Sequence, residues 1–166
     1  MNNYILVGYM GCGKTTIGQA LSKALDINFT DTDAMIVESQ NMTINDIFDK
    51  FGEPHFRDLE TKTLEAMCEN TKNTVVSCGG GLSLREENRR LLKKLGKVIY
   101  LSVKPDTVYD RLKDDDTRPL LRGDADTVKE KINSMLEIRG PIYESCADVI
   151  VETDNLSIDE IIDIIK

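Results

Sequence analysis

The chain has 166 residues, 40% of them apolar and 30% charged, with 21 Lys and Arg against 29 Asp and Glu for a formal net charge of −8. That length fits one globular domain with a full core, and the negative balance argues against nucleic acid or an anionic membrane as partner. Four cysteines without a CxxC pair and a single histidine, His55, argue against a zinc site and for reduced thiols in a cytoplasm.

In chain order, residues 4–7 read as a buried strand. Residues 16–25 follow as a helix with Ile17, Leu21 and Leu25 on one face. Residues 27–30 form a second short strand, and 44–70 a helix broken near Gly52 and Pro54. Residues 74–77 are a third strand. The helix at 84–95 after it is opened by a capping box of Ser83 and Glu86. The fourth strand is 97–103, followed by helical patterns at 105–113 and 128–143. The fifth strand is 149–151, and a last helix starts at Ser157, where Ser157 and Glu160 form a second box. No apolar run is long enough to span a bilayer, and no signal-peptide pattern opens the chain. Apolar strands separated by helices predict right-handed βαβ units, hence an α/β fold whose parallel sheet is covered on both faces. The irregular stretch, 114–126, holds three consecutive aspartates, two arginines, Pro119 and Gly123; a loop of that length is functional or mobile.

Gly8-Tyr9-Met10-Gly11-Cys12-Gly13-Lys14-Thr15 fits GxxxxGK[ST] at every fixed position, after a predicted strand and before a predicted helix. Glycines let successive backbone N–H groups turn inward around an anion, and the helix adds its positive end. Lys14 brings a point charge to the β- and γ-phosphates, and the Thr15 hydroxyl suits Mg²⁺. A GTPase would also need an Asn-Lys-x-Asp segment, which is missing, so a small-molecule kinase is the expectation.

The second strand ends at Thr30-Asp31-Thr32-Asp33, on the sheet edge where open parallel sheets bind ligands. With an extended backbone, Asp31 and Asp33 would point to opposite sides, one toward Mg²⁺ and its waters, the other toward an acceptor hydroxyl. A solvated turn with an Asp N-cap is the alternative. Gly79-Gly80-Gly81 ends the third strand and allows close backbone approach to a ligand, or is merely a flexible connection. Arg57 either pairs with Glu53 and Glu60 or clamps a carboxylate with Glu60 behind it. Arg139 is a second such candidate, or a partner of a helix C-terminus. Arg118 could close over a triphosphate from a lid or simply balance residues 114–116. Arg111 could stack on adenine or solubilise a helix. His55 reads as a surface residue. The cysteines read as structural, with Cys12 open to alkylation because it lies in the phosphate loop.

Taken in order, Gly8-x-x-Gly11-x-Gly13-Lys14-Thr15-Thr16, Asp31-Thr32-Asp33, Phe56-Arg57-x-x-Glu60, Gly79-Gly80-Gly81, Arg118-Pro119-Leu120-Leu121 and Arg139-x-x-x-Tyr143 resemble the shikimate kinases, from the first strand to the last helix. The resemblance implies a single P-loop domain over 1–166. It would be a three-layer α/β/α fold around a five-stranded parallel sheet, with a lid near 114–126 and a substrate-binding helical region. It implies transfer of the ATP γ-phosphate to the 3-hydroxyl of shikimate, with Mg²⁺, in a cytoplasmic monomer. Gly11, Cys12, Gly13, Lys14, Thr15 and Thr16 would hold the phosphates. Arg111 would neighbour adenine, and Arg118 would be the lid arginine. Asp33, Arg57, Gly79, Gly80, Gly81 and Arg139 would bind shikimate. Thr15 would ligate the metal, and Asp31 would reach it through water. Asp33, Lys14 and Arg118 would carry the catalysis. The chain departs from some relatives in having no proline in the loop at 153–156, the expected adenine neighbour. A gluconate kinase, whose substrate also bears a carboxylate, and a non-catalytic nucleotide-binding module are the rivals.

Overall fold

A computed structural model describes residues 2–113 and 123–166. Its sheet has five strands, β1 (Tyr4–Val7), β2 (Asn28–Asp31), β3 (Thr74–Ser77), β4 (Lys97–Ser102) and β5 (Val149–Glu152), in the order β2-β3-β1-β4-β5. All four pairings are parallel. The three central strands are almost wholly buried and the edge strands β2 and β5 only partly, which matches a sheet covered on both faces. From β1 the chain moves one way to β2 and then returns across the sheet to β5. A right-handed crossover therefore puts α1 (Lys14–Leu25) on one face, and α8 (Ile158–Ile165), after the last strand, packs against it there. The same rule assigns α4 (Glu53–Asn70), α5 (Glu86–Leu95), α6 (Pro105–Leu112) and α7 (Ala125–Cys146) to the other face. The change of direction beside β1 leaves a crevice at the C-terminal ends of β1 and β3, where a ligand site belongs in this architecture.

Helices α2 (Thr32–Gln40) and α3 (Ile44–Phe51) pack against α4 and against each other. They enclose a small core of their own, Ile36, Ile47 and Phe56, apart from the main core around the sheet. The break between α3 and α4 falls at Gly52, as the sequence predicts. Gly52 adopts a φ of 85°, and Pro54 sits in the first turn of α4, where its missing N–H costs nothing.

Three expectations are corrected. Helix α2 was not foreseen: Ala34, Met35, Ile36 and Val37 run consecutively, so no apolar stripe marks it. It begins directly at the end of β2, so Asp33 is a helical residue and the extended alternation of Asp31 and Asp33 does not hold. The Ser83–Glu86 box does not form. Ser83 is buried in a 3-10 turn, Leu82–Leu84, and Arg85 stands at the N-cap of α5 without a side-chain cap. Of the Ser157 box the N-cap half is observed, with Ser157 Oγ accepting the Glu160 N–H at 3.1 Å. Most of the irregular stretch, 114–122, lies outside the described residues, while its end forms the first turn of α7, capped by Asp124.

Candidate active site

The phosphate loop leaves β1 at Gly8, whose φ is 151°. A Cβ there would come within 2.8 Å of both Leu101 O and Cys12 Sγ, so a side chain has no room. The loop closes on Gly13, the N-cap of α1, with a φ of 92° and no side-chain cap. The first N–H groups of α1 are thus left for an anion. Lys14 Nζ donates to Gly8 O at 2.7 Å and Tyr9 O at 3.1 Å, which holds the ammonium at the rim of the loop. A cavity of about 260 Å³ opens here. Gly11, Gly13, Lys14, Thr15 and Thr16 form one wall, and Asp31, Asp33 and residues 77–80 the other. Arg111 reaches across from α6 and donates Nη1 to Gly11 O at 2.7 Å. Cys12 does not line the cavity. It is 1% exposed, its Sγ faces the Lys14 ammonium, and its N–H donates to Tyr9 O at 3.2 Å. The expected openness to alkylation is therefore not met, because the thiol lies beneath the loop.

A second cavity, of about 410 Å³, opens beside the first. Its floor and sides come from Ile44, Asn45 and Phe48 of α3 and from Phe56, Arg57 and Glu60 of α4. Gly79, Gly80 and Gly81, together with Arg139 of α7, complete it. The pairing of Arg57 with Glu53 and Glu60 is observed, and it leaves the residue on a cavity wall. Its Nη1 donates to Glu60 Oε1 at 2.7 Å and its Nη2 to Glu53 Oε1 at 3.2 Å, while the guanidinium also lines the cavity. Glu60 is 0% exposed. Burial drives its carboxyl toward the neutral acid and the Arg57 charge only partly counters this, so its pKa is pushed up to about 7. Burial likewise disfavours the Arg57 charge, but attraction to Glu60 and the bonds to Glu60 and Glu53 outweigh it and raise its pKa. Arg57 therefore stays cationic, and it is Glu60 that changes charge near neutrality.

Arg139 is not at a helix end. Helix α7 runs through Pro141 to Cys146, and Arg139 turns toward Gly80 and the Tyr9 ring, with Cζ 5.9 Å from the ring centroid. His55 is half-buried, its ring 4.6 Å from that of Phe51, rather than a free surface residue.

The glycine triplet explains how these parts fit. None of the three has a positive φ, and at Gly79 and Gly81 it is close approach that demands glycine, whereas a Cβ on Gly80 would meet only ordinary contacts. A Cβ on Gly79 would stand 2.6 Å from Asp33 Oδ1, and one on Gly81 would collide with the Arg57 guanidinium. The sequence suggests glycines that make room for a ligand, and here they also make room for the side chains of the site. Asp31 is the N-cap of α2, accepting the Ala34 N–H at 3.1 Å, and lines the phosphate cavity as well. The expected N-cap is observed, and it leaves Asp31 on the cavity wall. Four residues, Met10, Asp33, Gly79 and Gly80, line both cavities. Arg118 lies outside the described residues.

Sequence reasoning missed Met10, Ile44, Asn45, Phe48 and Phe56. The signal available for α3 was its strong apolar stripe, Ile44, Ile47, Phe48 and Phe51, after the Thr43 N-cap. That stripe is too wide for the small core it covers, so part of it faces a cavity.

The family model described as Shikimate kinase matches residues 10–166. The shikimate kinase of Caldicellulosiruptor bescii is 42% identical over 157 residues, covering 95% of this chain and 89% of the relative. That of Sulfurihydrogenibium sp. is 42% identical over 163 residues, covering 98% and 95%. Among solved structures, shikimate kinase from Acinetobacter baumannii in complex with shikimate superposes with a TM-score of 0.90 at 35% identity, covering 98% of this chain and 89% of that one. With a P-loop cavity joined through one aspartate to a cavity flanked by two arginines, and with this likeness along its length, the chain belongs to the shikimate kinase family.

Proposed function

We propose that this protein transfers the γ-phosphate of ATP to the 3-hydroxyl of shikimate, giving shikimate 3-phosphate and ADP, and that residues 1–166 act as one kinase domain. The observation that carries this is Asp33, whose carboxylate borders the phosphate cavity and the acceptor cavity at once. An acceptor hydroxyl that donates to Asp33 is held beside the terminal phosphate. Phosphoryl transfer through a loose transition state gains most from such positioning, with the proton passing to Asp33 as the O–P bond forms. Gly11, Cys12, Gly13, Lys14, Thr15 and Thr16 hold the phosphates, and the Lys14 ammonium balances charge on the transferring group. Arg57 and Arg139 take the acceptor's carboxylate, and Gly79, Gly80 and Gly81 bring backbone to its ring substituents. Arg111, already against the phosphate loop, borders adenine, and Arg118 acts from a lid near residues 114–126.

Mg²⁺ fits the donor set. Among the described residues no three His, Cys, Asp or Glu stand together. An ion carried by nucleotide phosphates, however, needs only one or two hard oxygen ligands from the protein. The Thr15 hydroxyl would supply one directly, and Asp31 would hold the ion through a water; both residues line the phosphate cavity. When bound, the ion would neutralise phosphate charge. Among the described residues no helix is long and apolar enough to cross a membrane. A cytoplasmic monomer with a small-molecule substrate is the setting we infer.

A coupled ADP-release assay with Mg²⁺ tests this reading. ADP release that depends on shikimate and not on gluconate is expected. No release with shikimate, or equal release with gluconate, would overturn it.

A further inference from the structure

Two buried hydroxyls grip the Gly79-Gly80-Gly81 segment from different elements. Thr32, fully buried at the start of α2, accepts the Gly79 N–H on Oγ1 at 3.0 Å. Tyr143, fully buried in α7, donates its hydroxyl to the Gly80 carbonyl. Neither residue lines either cavity, although each lies inside a motif whose neighbours do. The other carbonyls of the segment are also engaged. Gly79 O accepts the Leu82 N–H and Gly81 O the Leu84 N–H, both at 3.2 Å. Among the described residues this leaves the N–H groups of Gly80 and Gly81 without a protein acceptor, and both residues line the acceptor cavity.

The planarity of the peptide bond turns these contacts into a pointing device. A carbonyl and the N–H of the next residue belong to one rigid trans unit and point in opposite directions. Tyr143, by holding the Gly80 carbonyl, therefore sets the direction of the Gly81 N–H. Thr32, by holding the Gly79 N–H, fixes the plane through which the chain enters the segment. Without such holds, three consecutive glycines have the freest torsions of any residues, and their N–H groups would have no preferred aim. We propose that Thr32 and Tyr143 are positioning residues for the acceptor, whose hydroxyls lock the glycine peptides so that the Gly80 and Gly81 N–H groups face the oxygens of bound shikimate. The Tyr143 ring is itself fixed by packing on Tyr100, with centroids 5.1 Å apart. Burial raises the pKa of its phenol, so the hydroxyl remains a donor across the working pH range. The lock also keeps Gly79 beneath the Asp33 carboxylate and Gly80 beside Arg139. Gly79 and Gly80 also border the phosphate cavity, but the groups that would hold the phosphates come from the loop between β1 and α1, so ATP binding depends on the lock much less than shikimate binding does.

This inference rests on the proposed reaction, so wild-type ADP release with shikimate is measured first; its failure would count against the reaction rather than the lock. Steady-state kinetics of Tyr143→Phe, Thr32→Val and Thr32→Ser, with melting temperatures alongside, then test the lock. Tyr143→Phe and Thr32→Val should each raise KM for shikimate about tenfold, equivalent to ~1.4 kcal/mol, with KM for ATP within about twofold of wild type. Thr32→Ser, which keeps the hydroxyl, should restore the wild-type value. An unchanged shikimate KM in Tyr143→Phe, or ATP and shikimate KM values rising together, would overturn the proposal and leave the hydroxyls as general supports of the fold. Should Thr32→Val fail to fold, Tyr143→Phe decides alone, because it retains the ring and its packing.

Discussion

The phosphate cavity takes one wall from a single short segment, Gly11 and Gly13 to Thr16, whereas the acceptor cavity draws on α2, α3, α4, α7 and the turn after β3. The difference follows from what each must recognise. A triphosphate is met by backbone N–H groups and one ammonium, which a single loop and helix start can supply. A small asymmetric acid needs apolar floor, guanidinium walls and an aspartate at set distances, and no local segment offers all three. The two regions also differ in charge chemistry. The phosphate side keeps Lys14 at the loop rim, while the acceptor side holds a buried Arg57–Glu60 pair whose carboxyl titrates near neutrality.

Substitutions that act on one region and spare the other sharpen this contrast. Lys14→Met should have the largest effect, lowering kcat/KM about 10³-fold, since it removes a charge aimed at the transferring group. A loss below tenfold in the ADP-release assay would break the assignment of that wall. Arg57→Ala should raise KM for shikimate roughly 100-fold, because it removes the clamp and leaves Glu60 buried without its cation. KM for ATP should move little. Equal changes in both constants would mean that the two cavities are not separable.

The smallest expected effect is on stability against pH. Glu60 has a folded pKa of about 7 against the 4.5 of an ordinary glutamate. Between those values the unfolded chain has lost a proton that the folded chain keeps, so stability falls as pH rises and the loss is complete above about 7. The full shift corresponds to an upper bound on the order of 3 kcal/mol. Glu60→Gln removes the titration. Urea unfolding at pH 5 and pH 8 should therefore show wild type losing ~1–3 kcal/mol relative to the variant. A constant difference across that range would show that Glu60 is ionised throughout.

The same contrast governs how much could be read from the sequence. The sheet was legible because its strands are short apolar runs ended by turn residues, as in Tyr4–Val7 and Thr74–Ser77, both predicted with their observed ends. The phosphate loop was legible because its chemistry is local. Arg57, Arg139 and the glycine triplet could be singled out as residue types, but not their mutual arrangement, which depends on α2 and α4 meeting the end of β3. Helix α2 escaped because its apolar residues show no helical period. Thr32 and Tyr143 stand in the sequence motifs without a role there, because a hydroxyl that holds a peptide plane looks like any other buried polar residue until the fold brings its partner near.

Asp33 is where the two regions meet, and a single substitution tests that junction. In Asp33→Asn the side chain keeps its size and loses only its charge and its capacity to take a proton. The turnover number with saturating ATP and shikimate should fall at least about 100-fold, with KM for ATP close to wild type. Turnover within about threefold of wild type would contradict the claim that this carboxylate joins the phosphate cavity to the acceptor.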